Sequence, residues 1–216
     1  MVVTVDGPAG VGKSTVARAV AAALGVPYLD TGAFYRAATL AVVRAGAPVA
    51  DPAAVLAVVV AADLDFREGE MLLNGEGVRE AIRAPEVAAL ASAVSTLPEV
   101  RRSVVARQRA WVDRQGGRAV VEGRDIGTVV FPAAPVKVYL TADVAERARR
   151  RARDPEAAGL TLEEIERQLQ ARDHTDSTRS ASPLRPAEDA VTIDTTALSV
   201  GEVVAIVLGL VTEAGE

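Results

Sequence analysis

The sequence contains no cysteine, which excludes disulfide bridges and thiolate metal sites. Its single histidine, His174, stands without any partner pattern and reads as a bystander rather than a ligand or base. Long apolar runs are missing too. The two most hydrophobic stretches, residues 53–62 and 203–211, are about half the length that a membrane-spanning helix needs and read as core helices, so no membrane partner is expected. There is no tandem repeat and no extended low-complexity tail. Positive charge is not in excess: the formal net charge of −5 argues against a polyanion-binding surface, hence against a nucleic-acid partner. Lys13 and Lys137 are the only lysines, so nearly every cation is an arginine. No Asn-Lys-x-Asp segment of the guanine-reading kind occurs, which speaks against a GTP-binding switch. No secretory signal fits the start of the chain, which runs from a short strand straight into a glycine-rich loop, so a cytoplasmic location is expected.

What the chain does have is apolar bulk, 50% of 216 residues, enough for one large domain or a core with an insert. It also has a complete phosphate-binding P-loop, Gly7, Pro8, Ala9, Gly10, Val11, Gly12, Lys13 and Ser14, continued by Thr15. A buried strand precedes it at residues 2–5 and an alanine-rich helix is expected over 15–24, the strand-turn-helix setting this chemistry requires. The glycines let successive backbone N–H groups turn inward onto phosphate oxygens, and the helix N-terminus adds partial positive charge. Lys13 is then placed to reach the β- and γ-phosphates of a nucleoside triphosphate, and Ser14 to offer its hydroxyl to Mg²⁺.

Short β-branched runs at residues 2–6, 26–30, 119–122, 136–140 and 190–194 alternate with helical patterns, the signature of a parallel sheet covered on both faces. Helix starts are read as capping boxes at Thr96–Glu99, Thr161–Glu164 and Ser199–Glu202. Between residues 63 and 78 the pattern switches to short strands around Glu68-Gly69 and Asn74-Gly75, which predicts a small antiparallel insert. Residues 154–159 separate two helices and are expected to form a mobile lid. Trp111, in line with Val100 and Val104, is assigned to the core.

A P-loop alone does not choose among kinases, switches and motors, and the arginines narrow the choice. Residues 30–36 place Arg36 just past the carboxyl end of the second strand, where ligands of open α/β sheets collect. Glu122, Arg124 and Asp125 emerge from another strand at that same edge. The run Arg147, Arg149, Arg150, Arg151, Arg153 sets like charges at helical spacing, which calls for an anionic counterpart; a solvated helix face is the plain alternative. Arg172, Asp176 and Arg179 share one helix face, either to recognise a phosphate beside a sugar hydroxyl or as an intrahelical salt-bridge ladder.

With these motifs in order, the chain resembles the bacterial cytidylate kinases over nearly its whole length. The resemblance rests on Gly-Pro-Ala-Gly-Val-Gly-Lys-Ser at 7–14, Asp-Thr-Gly-Ala-Phe-Tyr-Arg at 30–36, Leu73-Asn-Gly-Glu with Ile82-Arg83, Gly-Arg-Asp-Ile-Gly-Thr-Val-Val-Phe-Pro at 123–132 and Arg-Asp-x-x-Asp-Ser-x-Arg at 172–179. It implies a nucleoside monophosphate kinase fold of class α/β: a five-stranded parallel sheet sandwiched by helices, with a small antiparallel insert and a helical lid. Core segments are expected at 1–30, 92–150 and 180–216, a monophosphate-binding region at 31–91, and the lid with its flanking helix at 150–179. The implied reaction is phosphorylation of CMP and dCMP by ATP with Mg²⁺, in a monomer. Ser92, Arg101 and Asp125 are then the cytosine readers, with Thr31, Arg36 and Arg124 also on the CMP side. Arg172 and Asp176 are the sugar contacts, and Arg179 touches phosphate near the transferred group. Lys13, Arg124 and Arg179 are the catalytic set, Arg150 and Arg153 the lid contacts to phosphate, and Ser14 and Glu122 the metal side. Glu122 stands where the family usually carries Asp, a longer acid for orienting metal-bound water. The alternatives are another small-molecule P-loop kinase, for UMP, AMP or shikimate, and a non-catalytic nucleotide-binding switch.

Overall fold

The computed structural model describes residues 1–154, 157–179 and 181–215. Two compact units account for the chain: Met1–Tyr28 with Gly117–Glu216, and Leu29–Gly116.

The first unit is built on strands β1 (Val2–Asp6), β6 (Ala119–Gly123), β7 (Val136–Thr141) and β8 (Val191–Asp194), and β2 (Tyr28–Asp30) completes a five-stranded sheet in the order β2-β6-β1-β7-β8. The central β1 runs parallel to both β6 and β7, and β7 is parallel to β8. Side chains alternate across β1, so Val3 and Val5 pack with Val16, Val20 and Ala17 of α1 (Lys13–Leu24) and with Val203 and Val207 of α8 (Val200–Gly215). Thr4 and Asp6, on the other side of the strand, are equally buried. Helices α6 (Val144–Arg151) and α7 (Leu162–Thr178) form a smaller cluster around Ala148, Ala157, Ile165 and Leu169.

The second unit packs α2 (Thr31–Arg44), α3 (Pro52–Ala61), α4 (Pro85–Thr96) and α5 (Pro98–Arg114) around a three-stranded antiparallel sheet, β3 (Leu64–Arg67), β4 (Glu70–Leu73) and β5 (Glu76–Gly77). The insert expected from the sequence is therefore present. Its two hairpins turn on Glu68-Gly69, with φ of 52° and 77°, and Asn74-Gly75, with φ of 51° and 80°, consecutive left-handed residues that suit tight β-hairpins. Trp111 lies edge-on to Phe66, ring centroids 5.9 Å apart, and its indole N–H donates to the Phe66 carbonyl.

Several expectations change. Residues 92–116, expected with the core segments, lie in the second unit. Thr96–Glu99 is not a capping box: α4 runs through Thr96, whose hydroxyl donates to the Ala93 carbonyl, and α5 begins at Pro98 after Leu97. Proline favours the first helical position because its fixed φ suits the helix and its missing N–H would lack a partner there anyway, and this sets the start one residue too late for Thr96 to cap it. The boxes at Thr161–Glu164 and Ser199–Glu202 form as expected. The apolar stretches at 53–62 and 203–211 are buried along one face only, with Val60 at 58% and Ile206 at 40% exposure. The expected lid falls partly on Pro155 and Glu156, which lie outside the described residues.

Candidate active site

In the first unit the glycine turn follows β1 directly. Gly7 has φ of 145°, and a Cβ there would sit 2.2 Å from the Leu140 carbonyl oxygen, so only glycine fits between the loop and β7. Gly12, at φ 90°, caps α1 and hands the chain to Lys13. Ser14 and Thr15 are exposed in the first helical turn, where backbone N–H groups have no carbonyl one turn earlier to bond. The Lys13 ammonium is buried and donates to the Pro8 carbonyl at 2.7 Å. Burial first, and then the charge of Arg124, push the Lys13 pKa well below its usual value.

Arg124 leaves β6 beside this loop. Its Nε donates to Asp176 of α7 at 2.9 Å and its Nη1 to the Gly7 carbonyl at 2.9 Å. Arg179, the residue that ends α7, stands 3.9 Å from both Asp176 and Asp125 and donates through Nε to the Ser182 carbonyl at 2.5 Å. Arg124, Asp125, Asp176 and Arg179 are thus brought together at the P-loop, with Asp125 and the Arg179 side chain almost fully buried. Arg172 is exposed on α7, and its charge reaches Lys13. Glu122 is buried and accepts the Tyr28 hydroxyl.

The arginine run proves heterogeneous. Arg147 is buried and donates to the carbonyls of Ala142 and Ala9 and, at 2.5 Å, to Asp173 of α7. Arg149 and Arg150 both bond Glu146, holding its carboxyl below the usual range, and Arg151 bonds Asp154. Arg150 also donates to the hydroxyl and carbonyl of Thr195, whose hydroxyl lies 3.1 Å from the Thr141 carbonyl and 3.3 Å from that of Val11. Arg150 therefore braces the P-loop from behind, whereas Arg153 is exposed just beyond α6.

In the second unit Asp30 caps α2, accepting from the Ala33 N–H at 3.0 Å and from Arg36 at 2.8 Å. Arg36 lies in the second turn of α2, and its buried Nε has no hydrogen-bond partner among the described residues. An unpartnered buried guanidinium N–H is costly and marks a place for an anion. Thr31 is buried at the start of the same helix, and its carbonyl accepts from Gln108. Arg101, 5% exposed, lies over the Tyr35 ring at 5.3 Å and donates to the Ser95 carbonyl, so it is not a surface residue. Ser92 is exposed on α4 and so does not pack between helices.

Two residues that the sequence analysis did not single out lie against these groups. Asp6, the last residue of β1, is buried and accepts the N–H groups of Ile126 and Gly127. Thr195 links Arg150 to the loop. The signal for Asp6 was an acid closing an otherwise apolar strand immediately before the first P-loop glycine.

A glycine cradle at the end of a central parallel strand, its lysine folded inside and Arg124 bonded to its first residue, defines a P-loop kinase. Comparison with known proteins narrows the class. A family model described as cytidylate kinase matches residues 3–213, and the chain belongs to that family. It is 48% identical to the cytidylate kinase of Corynebacterium efficiens, covering 100% of this chain and 96% of that protein. It is 46% identical to the cytidylate kinase of Saccharophagus degradans, covering 97% and 96%. An uncharacterized protein from Eubacterium ventriosum shares the fold with a TM-score of 0.54 at 10% identity, covering 99% of this chain and 98% of the other.

Proposed function

We propose that the protein transfers the terminal phosphoryl group of ATP to CMP or dCMP, producing ADP and CDP or dCDP. The observation that carries this reading lies beside a P-loop lysine, where Arg124 meets the Gly7 carbonyl and Asp176, and Arg179 stands between Asp125 and Asp176. An oxygen of the acceptor's phosphate forms the new bond to the γ-phosphorus, the bond from γ-phosphorus to the β–γ bridging oxygen breaks, and its electron pair leaves with ADP. No protein nucleophile is needed, so the side chains work by positioning and charge compensation. Lys13 and the α1 N-terminus hold the triphosphate, and Arg124 and Arg179 stabilise the charge that spreads over the transferring group. A polyphosphate also supplies the negative charge that burial and Arg124 deny to the Lys13 ammonium.

The donor set fits a metal brought in with the nucleotide. Among the described residues no cluster of three or more acidic, histidine or cysteine side chains could hold one alone, while the exposed Ser14 hydroxyl lies in the first turn of α1 and Glu122 faces Lys13 electrostatically. Mg²⁺ takes few protein oxygens beside phosphates, and when bound it neutralises phosphate charge. Ser14 would ligate it, and Glu122 would orient its water.

Arg36, with its unpartnered Nε, suits the monophosphate. Cytosine offers an amino donor beside ring acceptors, which a carboxylate or hydroxyl and an arginine can complement through Asp125, Ser92 and Arg101. Arg172 and Asp176 would take the sugar, and the exposed Arg153 suits phosphate better than Arg150, which the protein already binds. No described helix is long and apolar enough to cross a membrane, and a cytoplasmic monomer without a nucleic-acid partner completes the reading. The test is an ADP-release assay across CMP, dCMP, UMP, AMP and shikimate. CMP and dCMP are expected to lead; a preference for AMP or shikimate, or no acceptor at all, would overturn the assignment.

A further inference from the structure

The buried carboxylate that ends β1 plays no part in the chemistry above, yet it lies between the P-loop and the turn that follows Arg124 and Asp125. Asp6 Oδ1 accepts from the Ile126 N–H at 2.9 Å, and Oδ2 from the Gly127 N–H at 2.7 Å. These two donors open the five-residue π-helical turn Ile126–Val130, whose first N–H groups have no carbonyl of their own turn to bond. The neighbouring residue of β1's exit, Gly7, accepts the Arg124 guanidinium. Consecutive residues therefore grip one loop at two points: Gly7 takes the side chain of Arg124, and Asp6 takes the backbone just beyond Asp125. The fit is close, since a Cβ on Gly127 would sit 3.1 Å from Thr4 Oγ1, 3.2 Å from Lys137 Cδ and 3.4 Å from Asp6 Oδ2.

We infer that Asp6 is a positioning residue for phosphoryl transfer, fixing the turn that carries Arg124 and Asp125 in register with the phosphate loop. This deepens the proposed kinase reading and rests on it. A hydrogen-bonded carboxylate 5% exposed is a costly way to close a strand, and burial outweighs both N–H bonds to raise its pKa from 3.8 to about 6. An apolar side chain would serve the strand better, but it would leave two N–H groups unmet and the turn unanchored. Misplacing a charge-stabilising group by ~1 Å costs on the order of 100-fold in rate.

The test is steady-state kinetics of Asp6→Asn at saturating ATP and CMP, well below the melting temperature. Asn keeps the shape and offers one acceptor oxygen in place of two. The expected result is a kcat at least tenfold lower with the KM for ATP within about threefold, because the loss falls on the transition state rather than on nucleotide binding. In the double variant with Arg124→Ala the two losses should not multiply, since Asp6 acts through Arg124. A kcat per folded molecule within about twofold of the parent, or losses that multiply, would show a purely structural carboxylate and overturn the inference. If Asp6→Asn does not fold, Gly127→Ala crowds Thr4 Oγ1 and Lys137 Cδ, shifts the same turn where it meets Asp6, and is read by the same two criteria. A parent enzyme that phosphorylates neither CMP nor dCMP overturns the proposed function itself, whereas an active parent with an unaffected variant overturns only the role of Asp6.

Discussion

Two groups of arginines in the first unit differ in how the protein satisfies them. Arg147, Arg149, Arg150 and Arg151 all bond a carboxylate at 2.5–3.0 Å, Arg147 that of Asp173, Arg149 and Arg150 the shared Glu146, and Arg151 that of Asp154. Arg179, by contrast, stands 3.9 Å from each of two carboxylates, and Arg124 divides its guanidinium between one carboxylate and a loop carbonyl. The denser charge is in the first group, and the proposed chemistry rests on the second. Local charge density draws the eye in a sequence, but Arg124 and Arg179 are the arginines that meet carboxylates beside the P-loop.

The strongest way to break this comparison is Arg124→Ala. We expect kcat to fall by a factor on the order of 10²–10³, the usual loss for one transition-state charge donor. ATP affinity, measured by titration calorimetry with a non-hydrolysable analogue, should change little; a large loss of affinity with unchanged turnover would reverse the roles. Next comes Arg147→Ala, which leaves the Asp173 carboxylate half-buried and unpaired and removes support from Ala9 and Ala142. It should cost about 2–4 kcal/mol of stability in urea unfolding, with turnover per folded molecule falling far less than in Arg124→Ala.

Asp6 sharpens the contrast as a carboxylate held by two backbone N–H groups. Its native pKa of about 6 exceeds the ordinary 3.8, so the native state binds the proton more tightly than the unfolded chain does. Its contribution to stability is therefore fully present below about pH 4 and is lost as pH rises through 6, by up to ~3 kcal/mol. Urea unfolding of the parent relative to Asp6→Asn between pH 4 and 7 should show that slope; a flat difference would contradict it. The smallest effect belongs to Arg149→Ala, an exposed pair with Glu146, which should move stability by no more than about 0.5 kcal/mol and leave kcat unchanged in the same assays.

The P-loop and the five strands were legible because their signals are local: a glycine spacing, a β-branched run, an acid or turn at a fixed offset. The hairpin turns at Glu68-Gly69 and Asn74-Gly75 were legible for the same reason. What the sequence could not separate was Arg147 from Arg150 and Arg153. Their fates depend on Asp173 and Thr195, tens of residues away, and on how α6 meets the loop. Arg101 and Ser92 carry no local mark at all. Only resemblance singled them out; in the structure the arginine is buried over Tyr35 and the serine faces outward. The Thr96 cap failed because a proline two residues later outweighed it.

The 2.7 Å contact from Lys13 to the Pro8 carbonyl folds the loop around its own side chain. Arrival of the nucleotide is then an exchange of one oxygen for another at an ammonium that need not travel far, so little ordering remains to be done on binding. Shortening that side chain would deprive the resting protein of an internal strut as well as depriving the complex of a charge.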